Sequence, residues 1–207
     1  MVAMCASGVA GTGRLLDRRV APSAKNSNRL HSHHLSGHSK VEMRIIRLLK
    51  TAIVAAIALF ASLVAFGNIT DYGTNWAFVQ HVLSMDTVFP TTTIKYRAID
   101  APALQTAAYV LIIAVETITA ILCWIGAARL LLASGDAAAF NRAKGFAVAG
   151  LTLGFLVWQV GFMSIGGEWF GMWMSEKWNG VPDAFRFFVT ILMVLIYLVM
   201  PDRADDP

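Results

Sequence analysis

Four long apolar runs constrain the fold of this chain more than any other feature of its sequence. They lie at about residues 51–67, 107–126, 146–165 and 184–200. A helix of about 20 apolar residues crosses the hydrocarbon core of a bilayer, and each run approaches that length. Only 14% of the residues are charged, against about 25% in soluble domains. The sequence therefore predicts an all-α, four-helix transmembrane bundle.

The predicted spans are slightly longer than the apolar runs at several ends. Asp100 is a candidate N-cap for the second span, with Pro102 in its first turn, and Pro201 ends the fourth span. The predicted spans are residues 47–67, 103–130, 146–165 and 184–200. Together with their connections they make one membrane domain, residues 43–207.

Residues 1–42 form a different kind of segment, rich in Ser, Gly, Arg and His and without apolar periodicity. They predict a disordered tail, and the histidines between residues 31 and 38 are interpreted as part of it although such tracts can bind metals. No apolar stretch typical of a signal peptide follows its arginines. Met43 is followed by a basic flank of the first span, so the hypothesis is that the natural protein starts there.

The positions of Lys and Arg predict the orientation of the bundle, since cytoplasmic flanks of membrane spans carry an excess of both. Seven lie on the flanks that would share a side with the N-terminus, and four on the other side. The seven are Arg44, Arg47, Lys50, Arg129, Arg142, Lys144 and Arg203, and the four are Lys95, Arg97, Lys177 and Arg186. Both termini are therefore predicted to be cytoplasmic, with residues 68–102 and 166–183 outside.

Glu116 is a single carboxylate in the middle of the apolar run Ala107–Gly126. A charge at the centre of a membrane helix costs roughly 3 kcal/mol on insertion scales, so it needs a partner, a proton or a polar cavity. Helical spacing divides this span into two faces. Leu111, Val115, Ile118, Leu122 and Ile125 form an aliphatic face, and Tyr109, Ile112, Glu116, Thr119, Ala120 and Cys123 form a more polar one. The second face is predicted to point into the bundle.

Gln159 and Arg186 are the polar residues predicted to join Glu116 in an intramembrane site, as a path narrowing inward from the outer face. Two interpretations of this site stay open. It could bind a proton, a cation or a small polar ligand. Alternatively, a protonated Glu116 could lock the bundle by a hydrogen bond to Gln159 or to a backbone carbonyl.

A stripe of small residues marks the third span, where Gly150 and Gly154 form a GxxxG pattern and Gly161 continues it. Small residues let helix backbones approach closely in lipid. Contacts within one molecule are the preferred interpretation, and a dimer contact is the alternative.

The predicted outer loops are rich in aromatic and acidic side chains. Trp76, Val79 and Leu83 share one face of a short helix, which suits a helix lying in the outer interface. The tryptophans predict an aromatic belt at the depth of the lipid headgroups, with a ligand platform as the alternative. The outer-loop surface residues singled out are Asp71, Trp76, His81, Asp86, Glu168, Trp169 and Trp173.

No pattern in the chain announces an enzyme. The spacing of His81, Asp86, Glu168 and Glu176 matches no metal-ligand motif, and none of the histidines lies inside a span, where a haem would need one. A nucleophile elbow, a P-loop and a dinucleotide fingerprint are all missing from the sequence. We therefore expect no catalytic residue, no metal, no cofactor and no nucleic-acid partner.

Three segments resemble a known family. Phe66–Asp86, Gly166–Trp173 and Ala184–Phe188 are similar to the bacterial "predicted small integral membrane protein" family, a domain of unknown function. The resemblance covers residues 43–200. It implies four spans in a bacterial inner membrane, and it brings no activity, cofactor or site residue.

The leading functional hypothesis is a non-enzymatic accessory or scaffold component whose partners are the lipid bilayer and a second membrane protein. The alternative is a small carrier or proton-coupled transport component that uses Glu116.

Overall fold

The computed structural model describes residues 24–203, with side chains from residue 41 onward. This part of the chain contains helices and turns and no strand. The helices are α1 (Ala24–Thr70), α2 (Tyr72–Ser84), α3 (Pro102–Leu132), α4 (Ala137–Ala143), α5 (Gly145–Leu156) and α6 (Val181–Val199). A π-helical segment (Val157–Trp169) continues α5, and short 3-10 turns occur at Ile94–Arg97 and Met172–Met174.

Four helical stretches are long and apolar enough to cross a membrane, which confirms the predicted fold class. They are Val41–Thr70, Pro102–Leu132, Ala137–Trp169 and Val181–Val199. Each predicted span lies within one of these longer stretches, except that the fourth extends one residue beyond the end of α6.

The N-terminal tail lies partly outside the described residues. The helical backbone of α1 begins at Ala24 and so includes residues 24–42, which were predicted to belong to a disordered tail. Residues 1–23 are outside the part of the chain that the structure describes. The start at Met43 therefore stays a prediction.

The sidedness of α3 agrees with its predicted faces. Glu116 is only 4% exposed, and Tyr109, Thr119 and Cys123 are buried with it. On the opposite face Leu111 is 63% exposed, which is the exposure expected of a side chain that meets lipid. The aliphatic face of α3 therefore presents apolar side chains to the bilayer, and the polar face of α3 is enclosed by protein.

The small-residue stripe of α5 packs against α3 inside the molecule. A Cβ added at Gly150 would lie 2.7 Å from Cys123 Sγ, and one at Gly154 would lie 3.1 Å from Thr119 Cγ2. Both glycines therefore permit a close approach of the two helices, as the intramolecular interpretation predicted. Gly161, in the π-helical segment, is different because a Cβ there would meet no heavy atom within 4 Å.

Two hydrophobic clusters follow each other along the bundle. The inner cluster lies among the four spans, and the outer cluster lies where α2 and the loops cover the start of α3. The inner cluster includes Val54, Ala58, Leu130, Leu151 and Ile191, and the outer one includes Val79, Leu83, Tyr109, Phe170 and Met172. The apolar face of α2 is thus buried against protein and not in the lipid interface, and Trp76 Nε1 donates a hydrogen bond to Thr106 Oγ1 of α3 at 3.3 Å.

Charged side chains are buried at the end of the bundle farthest from α2. Asp202 Oδ2 lies 3.0 Å from Lys50 Nζ and 2.8 Å from Lys144 Nζ, and both lysines also donate to the carbonyl oxygen of Met200. Asn141 exchanges two hydrogen bonds with the backbone of Asp202. We call Lys50, Lys144 and Asp202 the lysine–aspartate cluster, and it fastens the chain after α6 to α1 and to the junction between α4 and α5.

Candidate functional site

Glu116 is the centre of the candidate site. Asn68 Nδ2, near the end of α1, donates a hydrogen bond of 2.7 Å to Glu116 Oε2. Glu116 Oε1 is buried and has no hydrogen-bond partner among the residues that the structure describes. A buried polar atom left without a partner costs about 1–3 kcal/mol, more if it is charged, and such atoms are rare in native structures. Glu116 therefore has capacity to bind something further.

Tyr109 holds Asn68 in place from the same face of α3 as Glu116. Its hydroxyl donates a hydrogen bond of 2.8 Å to the Asn68 carbonyl oxygen, and its ring packs edge-on against Tyr72 with centroids 4.9 Å apart. The two α3 residues are separated by two helical turns, so both meet the end of α1. Asn68 is consequently fixed at both its backbone and its side chain, and the orientation of the Glu116 carboxyl is fixed with it.

A cavity of about 260 Å³, which we call the Glu116 cavity, opens beside this group. Glu116 and Asp183 are its acidic residues, and no basic residue lines it, although Asp183 is paired with Arg186. Five aromatic residues contribute to its wall, namely Phe78, Tyr109, Trp158, Phe162 and Phe187. Carboxylates and aromatic faces both attract cations, so the wall favours a positively charged occupant.

The aromatic wall is a packed unit that the π-helical segment helps to build. The Trp158 ring centroid lies 4.6 Å from that of Phe162 and 4.8 Å from that of Phe187 of α6. Trp158 is buried while Phe162 is half-buried. Wide i→i+5 turns are rare and occur frequently at functional sites. The widened turns here place two aromatic rings on one side of the cavity.

Neither Gln159 nor Arg186 lines the Glu116 cavity, and the predicted path from the outer face stays a prediction. Gln159 is half-buried, does not line the Glu116 cavity, and its carbonyl oxygen accepts a hydrogen bond from Ser164 Oγ. Arg186 is exposed and pairs with Asp183. The sequence placed Gln159 by its depth in the span and did not assign it to a face of the helix.

Two of the outer-loop residues form a pair on the first loop. His81 Nδ1 lies 2.7 Å from Asp86 Oδ2, and the His81 ring stacks on Trp178 at 4.6 Å. Asp71 is exposed and precedes α2 without capping it through its side chain. No group of three His, Cys, Asp or Glu side chains that could hold a metal occurs within residues 41–203.

The tryptophans of the second loop have separate partners and do not form one platform. The Arg97 guanidinium lies 4.5 Å from the Trp169 ring centroid, and its Nη1 donates to the Trp169 carbonyl oxygen. Trp173 packs edge-on against Phe89 at 5.9 Å. Glu168 is exposed beside them. These contacts tie the second loop to the first.

Sequence reasoning missed Asn68 and Asp183 as site residues. Asn68 directly follows the first apolar run and was assigned to a loop, whereas α1 continues to Thr70. A signal was present, because an amide at the end of a span is a suitable partner for an acid in a neighbouring span. Asp183 lies in the first turn of α6, and its position in the cavity depends on how α6 packs.

Four apolar helices with a cavity in the half nearer α2 define a small polytopic helical membrane protein. The model of the family described as "Predicted small integral membrane protein (DUF2165)" matches residues 46–201, and the chain belongs to this family. The resemblance noted in the sequence is thereby confirmed. No curated protein and no solved structure matches the chain significantly.

Proposed function

We propose that this small integral membrane protein binds a small organic cation at Glu116, as a non-enzymatic component of the bacterial inner membrane. The observation that carries the proposal is the unpartnered Oε1 of Glu116 beside a cavity with an aromatic wall and no basic lining residue. A cation supplies the missing interaction at Oε1, and the aromatic wall supplies a second one through cation–π contacts.

The arrangement of donors favours a ligand site over a purely structural acid. A protonated Glu116 that locked the bundle would need an acceptor for its hydroxyl group. Its one described side-chain partner is the Asn68 amide, which donates to Oε2. No acceptor for a proton on Oε1 is found in the part of the chain that the structure describes. A cation needs no acceptor, and it supplies the counter-charge that Glu116 lacks among the described residues.

The proposal includes an orientation with both termini in the cytoplasm. Lys50, Lys144 and the chain after α6 meet in the lysine–aspartate cluster, so the flanks richest in Lys and Arg share one end of the bundle. The positive-inside tendency assigns that end to the cytoplasm. The Glu116 cavity then belongs to the outer half of the membrane. Labelling of single cysteines placed at the exposed positions Tyr96 and Leu132 in intact cells tests this orientation. We expect a membrane-impermeant reagent to label position 96 alone, and label at position 132 alone would show the opposite orientation.

Cation binding is tested with the purified protein in lipid nanodiscs and tetramethylammonium as the probe. Trp158 lines the cavity, so quenching of tryptophan fluorescence and calorimetric titration both report on occupancy. We expect saturable binding that Glu116→Gln abolishes, because the amide keeps the shape of the side chain and removes its charge. Glu168→Gln is the matched control, since that carboxylate is exposed on the outer loop. Equal binding by wild type and Glu116→Gln would contradict the proposal.

An accessory role is the second candidate, and the outer surface favours it. Tyr96 is 77% exposed and Trp169 is 52% exposed, with Phe89 and Trp173 also exposed nearby. Aromatic side chains of this kind are enriched in protein interfaces. Purification in mild detergent should recover a second membrane protein, and its loss on Tyr96→Ala would assign the contact to this surface. Recovery of the isolated chain under every condition would contradict this role.

A further inference from the structure

A second cavity adjoins the Glu116 cavity on the side of the π-helical segment. It measures about 220 Å³, and we call it the apolar cavity because its lining is almost entirely hydrophobic. The two cavities share four wall residues: Phe78, Val79, Ile112 and Phe162. A space with an unsatisfied carboxyl group thus shares a wall with an apolar one, and a ligand that occupies both must displace these side chains.

The apolar cavity opens towards the lipid. Leu111 and Ile165 line it, and they are 63% and 48% exposed on the surfaces of two membrane-spanning helices. Leu111 belongs to the aliphatic stripe of α3, which points away from the bundle. A molecule dissolved in the outer half of the bilayer can therefore reach this cavity sideways, without passing through water.

We propose that the ligand of the Glu116 site is an amphiphilic amine, with its ammonium head at Glu116 and its alkyl chain in the apolar cavity. This inference rests on the proposed function and adds the class of its ligand. The carboxyl group and aromatic rings recognise the head. The apolar cavity provides a dry surface for the chain, and its opening to lipid provides the route.

Gly161 offers a way to fill the apolar cavity without touching the head site. It lines that cavity, and a Cβ at this position would meet no heavy atom within 4 Å. It does not line the Glu116 cavity. Gly161→Leu should therefore occupy the space meant for the chain. Ala108→Leu fills the same cavity from α3 and serves as a second variant if the first fails to fold.

The experiment compares trimethylammonium ions carrying a methyl, butyl or octyl group. Binding to the full chain in nanodiscs is measured by equilibrium dialysis, and the binding to Glu116→Gln discs is subtracted as membrane partitioning. Transfer of each buried methylene from water is worth about a fourfold gain in affinity. We expect the octyl ion to bind wild type at least about tenfold more tightly than the methyl ion. Gly161→Leu should keep the methyl affinity and lose most of that gain.

Gly145→Leu is the matched control. Its added Cβ also meets open space, but Gly145 lies at the start of α5, away from the apolar cavity. It should behave as wild type with all three ions. The amphiphile proposal is wrong if the octyl ion keeps its full gain in affinity over the methyl ion in both cavity-filling variants. It is also wrong if affinity in wild type does not depend on chain length. Either result leaves the cation site intact. Loss of tetramethylammonium binding altogether overturns the proposed function instead.

Discussion

The two ends of the bundle bury charge in opposite ways. In the lysine–aspartate cluster Asp202 Oδ2 contacts two ammonium groups, and Asn141 pairs with its backbone. At the other end Glu116 receives one hydrogen bond from a neutral amide and keeps an oxygen without a described partner. The first arrangement is complete and holds helices together, whereas the second is incomplete and borders a cavity. Burial of a charged residue alone does not distinguish a structural group from a binding group; its remaining hydrogen-bonding capacity does.

Packing follows the same division. The half of the bundle nearer the lysine–aspartate cluster, which we call the inner half, has glycines between α3 and α5 so close to the neighbouring helix that an added Cβ would collide. In the half nearer α2, which we call the outer half, the π-helical segment leaves open space at Gly161 and contributes to the walls of two cavities. The inner half therefore has little room to move, and the outer half has room for a ligand.

The largest effect is expected from removing the charge of Asp202. In Asp202→Asn, Lys50 and Lys144 stay buried side by side without their counter-charge. Breaking a buried ion pair in this way costs about 3–5 kcal/mol. Thermal unfolding in detergent should show a large fall in midpoint temperature, while Asp71→Asn, at an exposed position, should leave the midpoint unchanged. A midpoint equal to wild type would show that the cluster does not stabilise the bundle.

Gly150→Ala tests the close packing of the inner half. Its new methyl group would lie 2.7 Å from Cys123 Sγ and 2.9 Å from the Cys123 backbone nitrogen, so the helices must separate. Overpacking of this kind costs about 1–3 kcal/mol, which the same unfolding measurement resolves. Gly161→Ala is the control, because it enters open space and alanine favours helix over glycine. If both variants have the same midpoint temperature of unfolding, the two halves of the bundle do not differ in packing as we infer.

The sequence predicted the parts of the fold that local patterns encode. Apolar runs gave the four spans, and the helical period gave the faces of α3, because both depend on residues close together in the chain. Partners across helices depend on how the helices are aligned, which no single segment encodes. For that reason Asn68 was not recognised as the partner of Glu116, and Asp202 was not recognised as the partner of Lys50.

The same limit explains why Lys50 and Lys144 were used only to predict the orientation of the bundle. Lys50 and Lys144 look like ordinary cytoplasmic flanks, and they become buried only because the chain after α6 folds back over them. Gln159 was predicted from its depth alone, and the sequence pattern does not reveal the π-helical segment in which it lies. The fold was thus predictable from composition and period, and the site was predictable only at Glu116.

Asn68→Ala probes the hydrogen bond that orients Glu116. The variant leaves Glu116 Oε2 without its donor, in addition to the unpartnered Oε1. Loss of a partner from a buried polar group costs about 1–3 kcal/mol, and tetramethylammonium binding should weaken because the carboxyl group is no longer held. Asn75→Ala is the control in the same cavity, since its side-chain amide bonds only to backbone carbonyl oxygens. Unchanged binding and stability would remove Asn68 from the site.

Glu116→Gln should have the smallest effect on stability, and it gives the most direct comparison between the Glu116 site and the lysine–aspartate cluster. The amide keeps an oxygen that accepts the hydrogen bond from Asn68, and it removes a charge that has no ionic partner among the described residues. We expect the free energy of unfolding to increase by less than about 1 kcal/mol, because the substitution removes an unpaired buried charge and burying such a charge is unfavourable. Asp202→Asn makes the same chemical change at the other end of the bundle with the opposite expected result. Equal destabilisation by the two variants, measured by unfolding in one detergent, would show that Glu116 is a structural group and not a binding one.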